Sequence, residues 1–284
     1  MIESPHSISS VSDLIDVALS EDSASNDITT TSLVPEHAKG IAIIKVNSPG
    51  VLAGVYVSLE VFLHVDSSLT PTALITDSST IEPGLQVATI EGKLSSILAA
   101  ERTALNFIQR MSGIATNTAQ YVNAVKGLDT KILDTRKTIP GWRILDKYAV
   151  AIGGATNHRI SLADGILIKD NHLSAMKIAG LSIHDTVKRA LKCAGDDYTV
   201  EVEVTNLHEA LEAMEAGAHS ILLDNMSTEE INRIVSVNNG RVLLEASGGV
   251  TLKTVRSIAE TGVDAISIGG LTHSSPAIDM SLEL

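Results

Sequence analysis

The chain has 284 residues, 44% apolar and 19% charged, so it can bury a sizeable core and lies outside the disordered class. Its net charge of -13 and 2% aromatic content argue against nucleic acid or an anionic membrane as the main partner, since those surfaces require positive charge and stacking rings. The single cysteine, Cys193, excludes an internal disulfide and a cysteine-based zinc site, and with no signal-peptide pattern at the start we expect a cytoplasmic protein.

The N-terminal part of the chain reads as strands separated by Pro and Gly, without a regular helix between them. This pattern predicts a smaller α/β domain over residues 1–112. A long helix over about residues 95–126 should follow, with a break near Gly113. The strand-like runs are GIAIIKVNS (40–48), GVLAGVYV (50–57), TALITDSS (72–79) and QVATIEG (86–92).

From about residue 130, short apolar runs rich in β-branched residues alternate with segments of helical period. Continuous apolar character is typical of strands covered on both faces, as in a parallel sheet. Asn206 and Ser227, each followed three residues later by Glu, mark two helix starts. The last four runs recur about every 21 to 23 residues, the length of one strand plus one helix, which predicts a (β/α) barrel over 113–272. The remaining tail, 273–284, is too short to be a domain, and we expect it to pack on the first domain. The runs are KILDTRK (131–137), DGILIKDN (164–171), YTVEVEV (198–204), HSILLDN (219–225), RVLLEASGG (241–249) and DAISIGG (264–270).

Polar residues end each predicted strand and should meet at the carboxyl-end mouth, where barrel enzymes build their active sites. Strand alternation places Glu201 and Glu203 on the same side, with Glu203 nearer the mouth. Ordinary polar loop residues are the alternative interpretation of each one taken singly. The residues are Asp134, Arg136, Lys137, Lys169, Asp170, Glu203, Asp224, Ser247, Gly248, Gly249, Gly269 and Gly270.

Residues 131–172 reverse the overall charge of the chain. A plain solvated basic face is the alternative interpretation, but several of these cations fall at the predicted mouth. Arginines, lysines and an imidazole together suit several carboxylates or phosphates held side by side. Seven cations face four aspartates, plus His158 and His172: Lys131, Arg136, Lys137, Arg143, Lys147, Arg159 and Lys169 against Asp134, Asp146, Asp164 and Asp170.

The two late glycine pairs, with Ser247 and a helix expected near Thr251, favour phosphate binding, although glycine pairs also form plain turns. Glu203 and Asp224 could hold sugar hydroxyls, bind Mg2+ or stabilise a developing positive charge; an ion pair with Lys169 is the alternative. The histidines show no HExxH spacing, and neither GxGxxG nor GxxxxGK[ST] occurs, which argues against a transition-metal site and removes Rossmann and P-loop binding. Cys193 reads as a packing residue rather than a nucleophile.

Several segments together resemble the quinolinate phosphoribosyltransferase family, also called nicotinate-nucleotide pyrophosphorylase (carboxylating). They are SEDSASNDITT, GVLAGV, ERTALNFIQRMSGIAT, DTRKTIPGWRILDKYAV, GGATNHRISLADGILIKDNH, EVEV, LLDN, EASGGV and SIGGLTHS. The resemblance implies an N-terminal α/β domain and an incomplete barrel of six or seven strands, in a homodimer or higher homo-oligomer with active sites between subunits. The implied reaction joins quinolinate to phosphoribosyl pyrophosphate with Mg2+, giving nicotinate mononucleotide, pyrophosphate and CO2.

The same resemblance assigns roles motif by motif. It implies that Arg102 reaches the partner subunit's site, and that the catalytic residues are Lys137, Lys169, Glu203 and Asp224. Carboxylates and pyrophosphate would be held by Thr135, Arg136, Lys137, His158, Arg159 and Lys169, and the ribose by Glu203 and Asp224. The 5′-phosphate would lie on Ser247, Gly248, Gly249, Gly269 and Gly270. Three positions depart from the family pattern, namely Asn26, Ala155 and Gly270.

Three other functions stay open. A paralogous phosphoribosyltransferase would share the fold but take another acceptor. A phosphate-binding barrel isomerase or aldolase would use Lys169 as a Schiff base and would be trapped by borohydride. A non-catalytic ligand sensor would need few of the charged mouth residues.

Overall fold

The computed structural model describes residues 5–284, apart from the side chain of Ser7. The strands are β1 (Lys39–Val46), β2 (Gly50–Val51), β3 (Thr70–Ala73), β4 (Thr80–Ile81), β5 (Gln86–Lys93), β6 (Lys131–Leu133), β7 (Ile166–Ile168), β8 (Val200–Val204), β9 (Ser220–Asp224), β10 (Leu243–Ser247), β11 (Ala265–Ser267) and β12 (Met280–Glu283). The α-helices are α1 (Ser9–Glu21), α2 (Ile28–Leu33), α3 (Val55–Val65), α4 (Leu94–Ala124), α5 (Arg143–Ile152), α6 (Asp170–Ile178), α7 (Ile183–Ala194), α8 (Leu207–Ala216), α9 (Thr228–Asn238), α10 (Val255–Ala259) and α11 (Gly270–His273). Short 3-10 helices span Pro5–Ser7 and Ala24–Asn26.

The chain divides into two compact units that interleave along the sequence. The first unit comprises the described chain through Ala119 together with Lys137–Gly154 and Gly270–Leu284. The second unit comprises Gln120–Arg136 and Ala155–Gly269. The predicted boundaries at 112 and 272 divide the chain into contiguous pieces and stay a prediction. In residues 5–284 no helix combines the length and hydropathy needed to cross a bilayer.

An antiparallel sheet with the order β12-β1-β5-β3 forms the centre of the first unit. Ile44 of β1 lies opposite Ala88 of β5 on one side and Leu282 of β12 on the other. The inward side chains Ile44, Val46, Ala88 and Ile90 are fully buried, so alternation along each strand supplies the core. The last strand, β12, thus joins the tail of the chain to the sheet made by its beginning.

Six parallel strands in the order β6-β11-β10-β9-β8-β7 form the sheet of the second unit. Its strands read as apolar runs because helices cover them, and β6 and β7 end the order, so the described sheet is open. A parallel bridge between Leu133 and Thr156 extends the β6 edge by one step. The expected fold class, an α/β domain followed by an incomplete barrel of parallel strands, is confirmed.

Both predicted helix starts are confirmed by capping hydrogen bonds in the second unit. The Asn206 side chain accepts from the Glu209 N–H and begins α8. Ser227 and Glu230 exchange bonds in a capping box that begins α9. These caps satisfy backbone donors that the first helical turn leaves unpaired.

Several local predictions in the first unit are wrong. Of the run 50–57, only Gly50–Val51 is a strand; Gly54, at φ 85°, turns the chain into α3, and much of that helix is buried. A continuous apolar run is compatible with a buried helix as well as with a buried strand. The run 50–57 therefore could not reveal the helix that lies between the strands. The run 72–79 is strand only through Ala73.

Helix α4 continues through Gly113 where a break was expected. A Cβ at Gly113 would lie 2.1 Å from the Pro276 carbonyl oxygen, so this glycine makes room for a neighbouring backbone. The helix expected near Thr251 instead begins at Val255, after a turn in which the Thr254 hydroxyl accepts from the Thr251 N–H. It has only five residues.

Candidate active site

One face of the parallel sheet carries four of the predicted site residues, Lys169, Glu203, Asp224 and Ser247. Residues paired in register across a parallel sheet project to the same face. Glu203 pairs with Leu222, which pairs with Glu245; one step nearer the carboxyl ends, Asp224 pairs with Ser247. Lys169 shares this face because it follows, two residues on, Leu167, which pairs with Glu201. The sheet therefore orders these side chains in rows, with Glu201 deepest.

Lys169 and Glu203 form an ion pair at the carboxyl end of the parallel sheet. Lys169 Nζ lies 2.9 Å from Glu203 Oε2, with the lysine side chain 47% exposed and the carboxylate only 11% exposed. The alternative raised from the sequence, a salt bridge between them, is what the structure contains. It places a solvent-accessible ammonium group directly over a shielded carboxylate.

Arg136 and Arg159 form a second cationic group in the second unit. Arg159 donates from Nη1 to the Gly165 carbonyl oxygen at 3.0 Å, while the buried Nε atoms of both arginines have no hydrogen-bond partner among the described residues. Burial, and then repulsion by Arg136, lower the pKa of Arg159, whereas Glu201 and Asp164 oppose this shift. Two half-buried guanidinium groups that repel each other are suited to an anion between or beside them.

Asp134 holds the segment that contains His158. Its fully buried carboxylate accepts the His158 backbone N–H at 2.8 Å. Asp134 was predicted as a mouth residue because it follows β6; the structure gives it this anchoring contact. The side chain fixes the backbone just before Arg159.

His158, Glu201 and Glu245 come together although no sequence spacing links them. His158 Nε2 lies 3.4 Å from Glu201 Oε2 and 3.6 Å from Glu245 Oε2. One ligand atom from each residue lies within 4.8 Å of the others, so this group could also hold a divalent cation. Glu245 was not predicted; the available signal was a carboxylate inside an otherwise apolar strand. Burial and the nearby Glu201 carboxylate raise the pKa of Glu245 to about 7.

The loops after β9 and β10 pack against each other through Asn225. Its Nδ2 donates to Asp224 Oδ2 at 2.8 Å, and a Cβ on Gly248 would lie 2.3 Å from Asn225 Oδ1. Gly248 and Gly249 have φ angles of 94° and 59°, which only glycine adopts readily. Close packing and backbone conformation thus already require glycine at 248, so its presence is no independent sign of phosphate.

The other predicted site residues are divided between the units. Thr135 and Gly269 lie in the second unit, whereas Arg102, Lys137 and Gly270 belong to the first. Arg102 is exposed on α4, and the Lys137 carbonyl oxygen accepts from the Thr272 hydroxyl at 2.7 Å. The prediction that Cys193 serves packing is wrong, because it is exposed on α7.

Comparison with known proteins gives one consistent family. Residues 27–112 match the model of the quinolinate phosphoribosyl transferase N-terminal domain, and residues 114–283 match that of the C-terminal domain. The chain is 39% identical to quinolinate phosphoribosyltransferase [decarboxylating] 1 of Nicotiana glauca, over 95% of this chain and 81% of that protein. It is 38% identical to the probable nicotinate-nucleotide pyrophosphorylase [carboxylating] of Bacillus subtilis, over 93% of this chain and 90% of that one.

Solved structures agree with the sequence relatives. The crystal structure of NadC from Streptococcus pyogenes superposes with a TM-score of 0.92 at 37% identity, over 100% of this chain and 98% of that one. The nicotinate-nucleotide pyrophosphorylase from Francisella tularensis gives 0.91 at 39% identity, over 100% and 99%.

Neutralising Glu245 should change how stability depends on pH. Its pKa is about 7 in the folded chain against 4.5 for an ordinary glutamate, so its contribution is fully present below pH 4.5 and is lost as the pH rises through 7. Relative to Glu245→Gln, the wild type should lose up to about 3 kcal/mol of unfolding free energy across that range. Denaturant titrations between pH 5 and pH 8 measure this difference. Glu229→Gln, an exposed control, should follow the wild type, and a difference that is independent of pH would contradict the assignment.

Proposed function

The chain belongs to the quinolinate phosphoribosyltransferase family, and we propose that its parallel sheet carries the reaction of that family. The protein is a decarboxylating pentosyltransferase: it joins quinolinate to phosphoribosyl pyrophosphate and releases nicotinate mononucleotide, pyrophosphate and CO2, a step of NAD biosynthesis. The names of the relatives favour quinolinate over another acceptor and over an isomerase or aldolase.

The cluster of cations in the second unit, Arg136, Arg159 and Lys169, is the observation that carries this function. Quinolinate has two carboxylates, and phosphoribosyl pyrophosphate has several phosphate charges. A chain of net charge -13 repels such anions unless it concentrates its cations locally. Arg136 and Arg159, both half-buried, and Lys169 supply that concentration.

Each residue group has a proposed part in binding. The carboxylates and pyrophosphate lie on Thr135, Arg136, Lys137, His158, Arg159 and Lys169. The ribose faces Glu203 and Asp224, and its 5′-phosphate lies on Ser247, Gly248, Gly249, Gly269 and Gly270. Lys137, Lys169, Glu203 and Asp224 are the proposed catalytic residues.

Positioning and electrostatics carry the chemistry. The quinolinate ring nitrogen attacks the ribose carbon that bears pyrophosphate, and the bond to pyrophosphate breaks. Glu203 and Asp224 stabilise the positive charge that develops on the ribose, while Lys137 and Lys169 stabilise the departing phosphate charge. The positive charge of the quaternised ring nitrogen then stabilises the carbanion left on the adjacent ring carbon when its carboxylate departs as CO2, and a proton from water converts that carbanion into nicotinate mononucleotide. No residue is needed as a covalent nucleophile.

Mg2+ is the proposed cofactor. Glu203 and Asp224 offer carboxylate oxygens, the donors this hard cation prefers, on one face of adjacent strands. When bound, the cation offsets the charge of the pyrophosphate. Lys169 would then exchange its contact with Glu203 for a substrate anion.

The proposed assembly is a homodimer in which Arg102 serves the partner subunit's site. Arg102 is exposed, as a residue that contacts a second subunit must be in the single chain. The cytoplasm stays our predicted location, whereas the names of some plant relatives place those proteins in mitochondria or chloroplasts.

The protein, mixed with quinolinate, phosphoribosyl pyrophosphate and Mg2+, should release nicotinate mononucleotide and CO2. Chelation of Mg2+ should abolish turnover. Nicotinate lacks the second carboxylate, and losing one charge-assisted contact should lower kcat/KM by roughly 10- to 100-fold. Product chromatography measures both reactions, and release of labelled CO2 measures the quinolinate reaction alone, because nicotinate loses no carboxylate. Comparable kcat/KM values for the two acids would contradict the proposed use of the cations.

Mixing two inactive variants tests the role of Arg102. In a mixed dimer of Arg102→Ala and Lys169→Ala subunits with shared sites, one site carries both defects and the other carries neither. Random exchange at equal amounts should therefore restore about one quarter of wild-type activity. The matched control mixes Arg159→Ala with Lys169→Ala, both from the second unit of one subunit, where every site keeps a defect. No recovery after confirmed subunit exchange would refute the shared site.

A further inference from the structure

We propose that Glu201 and Glu245 are positioning residues that fix the imidazole of His158, so that His158 and Arg159 meet quinolinate in a single orientation. The proposal deepens the function given above and rests on it for the identity of the ligand. Neither glutamate is among the residues proposed to touch substrate.

The two glutamates approach His158 from neighbouring rows of the sheet. Glu201 pairs with Ser220 and Glu245 with Leu222, so β9 lies between their strands. Their residues are 8% and 6% exposed, and the His158 side chain is 17% exposed. The two carboxylates are therefore shielded from solvent beside the Nε2 atom of the ring.

A hydrogen bond at Nδ1 of His158 determines which ring nitrogen carries the proton. The Arg159 backbone N–H donates to His158 Nδ1 at 2.7 Å, so Nδ1 is an acceptor and carries no hydrogen. The ring proton is therefore on Nε2, the atom that faces both glutamate oxygens. The imidazole is held at one nitrogen by the backbone of Arg159 and at the other by buried negative charge.

Burying two carboxylates so close together is costly unless something offsets their charge. Burial raises the pKa of Glu245, the charge of Lys169 lowers it, and Glu201 favours the charged form of Arg159. Glu245 and Glu201 thus stabilise the nearby positive charges of Lys169 and Arg159. Since Nδ1 is bonded to the Arg159 N–H, a rotation of the ring would also release the backbone of Arg159.

Steady-state kinetics of the variant Glu201→Gln/Glu245→Gln test this at pH 8. Both side chains keep their shape and an acceptor oxygen but lose their charge. We expect KM for quinolinate to rise about tenfold, because the charge-assisted contact that holds the His158 ring is weakened. We expect kcat, and KM for phosphoribosyl pyrophosphate, to stay within about twofold of the wild-type values. Glu229→Gln, which neutralises an exposed carboxylate on α9, should change none of the three constants.

A double-mutant cycle with His158→Ala separates positioning from other roles. If the glutamates act through the ring, their replacement should change KM for quinolinate by less than about twofold in the His158→Ala background. An undiminished tenfold rise there would overturn the proposal, because the glutamates would then act on the substrate or the sheet directly.

Nitrogen NMR of the histidine rings, recorded without substrate, gives an independent readout. The His158 signal, assigned by its loss in His158→Ala, should show the neutral Nε2–H tautomer in the wild type and a mixture of tautomers in the double glutamine variant. A wild-type ring protonated at Nδ1, or a tautomer unchanged in the variant, would refute the fixing of the ring. If the wild type makes no nicotinate mononucleotide, the proposed function fails while these spectra still decide the role of the glutamates.

Discussion

The ion pair between Lys169 and Glu203 is the interaction on which the proposed site depends. The Lys169 side chain is half-exposed and contacts the shielded Glu203 carboxylate. The attraction is strong enough to hold the ammonium group in place and weak enough to let it be released. Water reaches the lysine end of the pair and weakens the attraction, so a substrate with two or more negative charges can replace Glu203 as its partner. The resting pair therefore keeps the ammonium group at the carboxyl edge of the sheet and leaves it free for exchange.

Charge is graded with depth along the same face of the sheet. Lys169 is half-exposed at the carboxyl end, Asp224 lies in the outermost row, Glu203 and Glu245 share the row below it, and Glu201 lies deepest, with Glu201 and Glu245 buried beside His158. This gradation explains how an acidic chain can collect anions without its cations repelling one another out of place. It also explains why Glu245 holds its proton more tightly than an ordinary glutamate does.

The second unit could be predicted from the sequence more completely than the first. Its strands and helices alternate with a regular period, and Asn206 and Ser227 mark helix starts by local chemistry that tertiary packing does not override. In the first unit, the apolar run around Gly54 is helix rather than strand because burial on several sides erases the period that would distinguish them. The contact of Gly113 with Pro276 joins distant segments, so no local signal could foretell an unbroken α4.

Within the site, the sequence identified the residues that end strands but not the residues that support them. His158, Glu201 and Glu245 come from three separate segments, and only the register of β8, β9 and β10 brings the two glutamates together beside His158 Nε2. The anchoring contact of Asp134 with the His158 backbone is likewise a product of folding. Residue type can indicate a chemical capacity, whereas the partner of a buried charge depends on the three-dimensional fold.

A crystal structure with quinolinate and an unreactive analogue of phosphoribosyl pyrophosphate tests the central claim most directly. We expect the quinolinate carboxylates on Arg136 and Arg159, with Lys169 Nζ moved from Glu203 to a substrate anion. Quinolinate bound away from these cations, with the Lys169–Glu203 contact intact at its 2.9 Å distance, would contradict it.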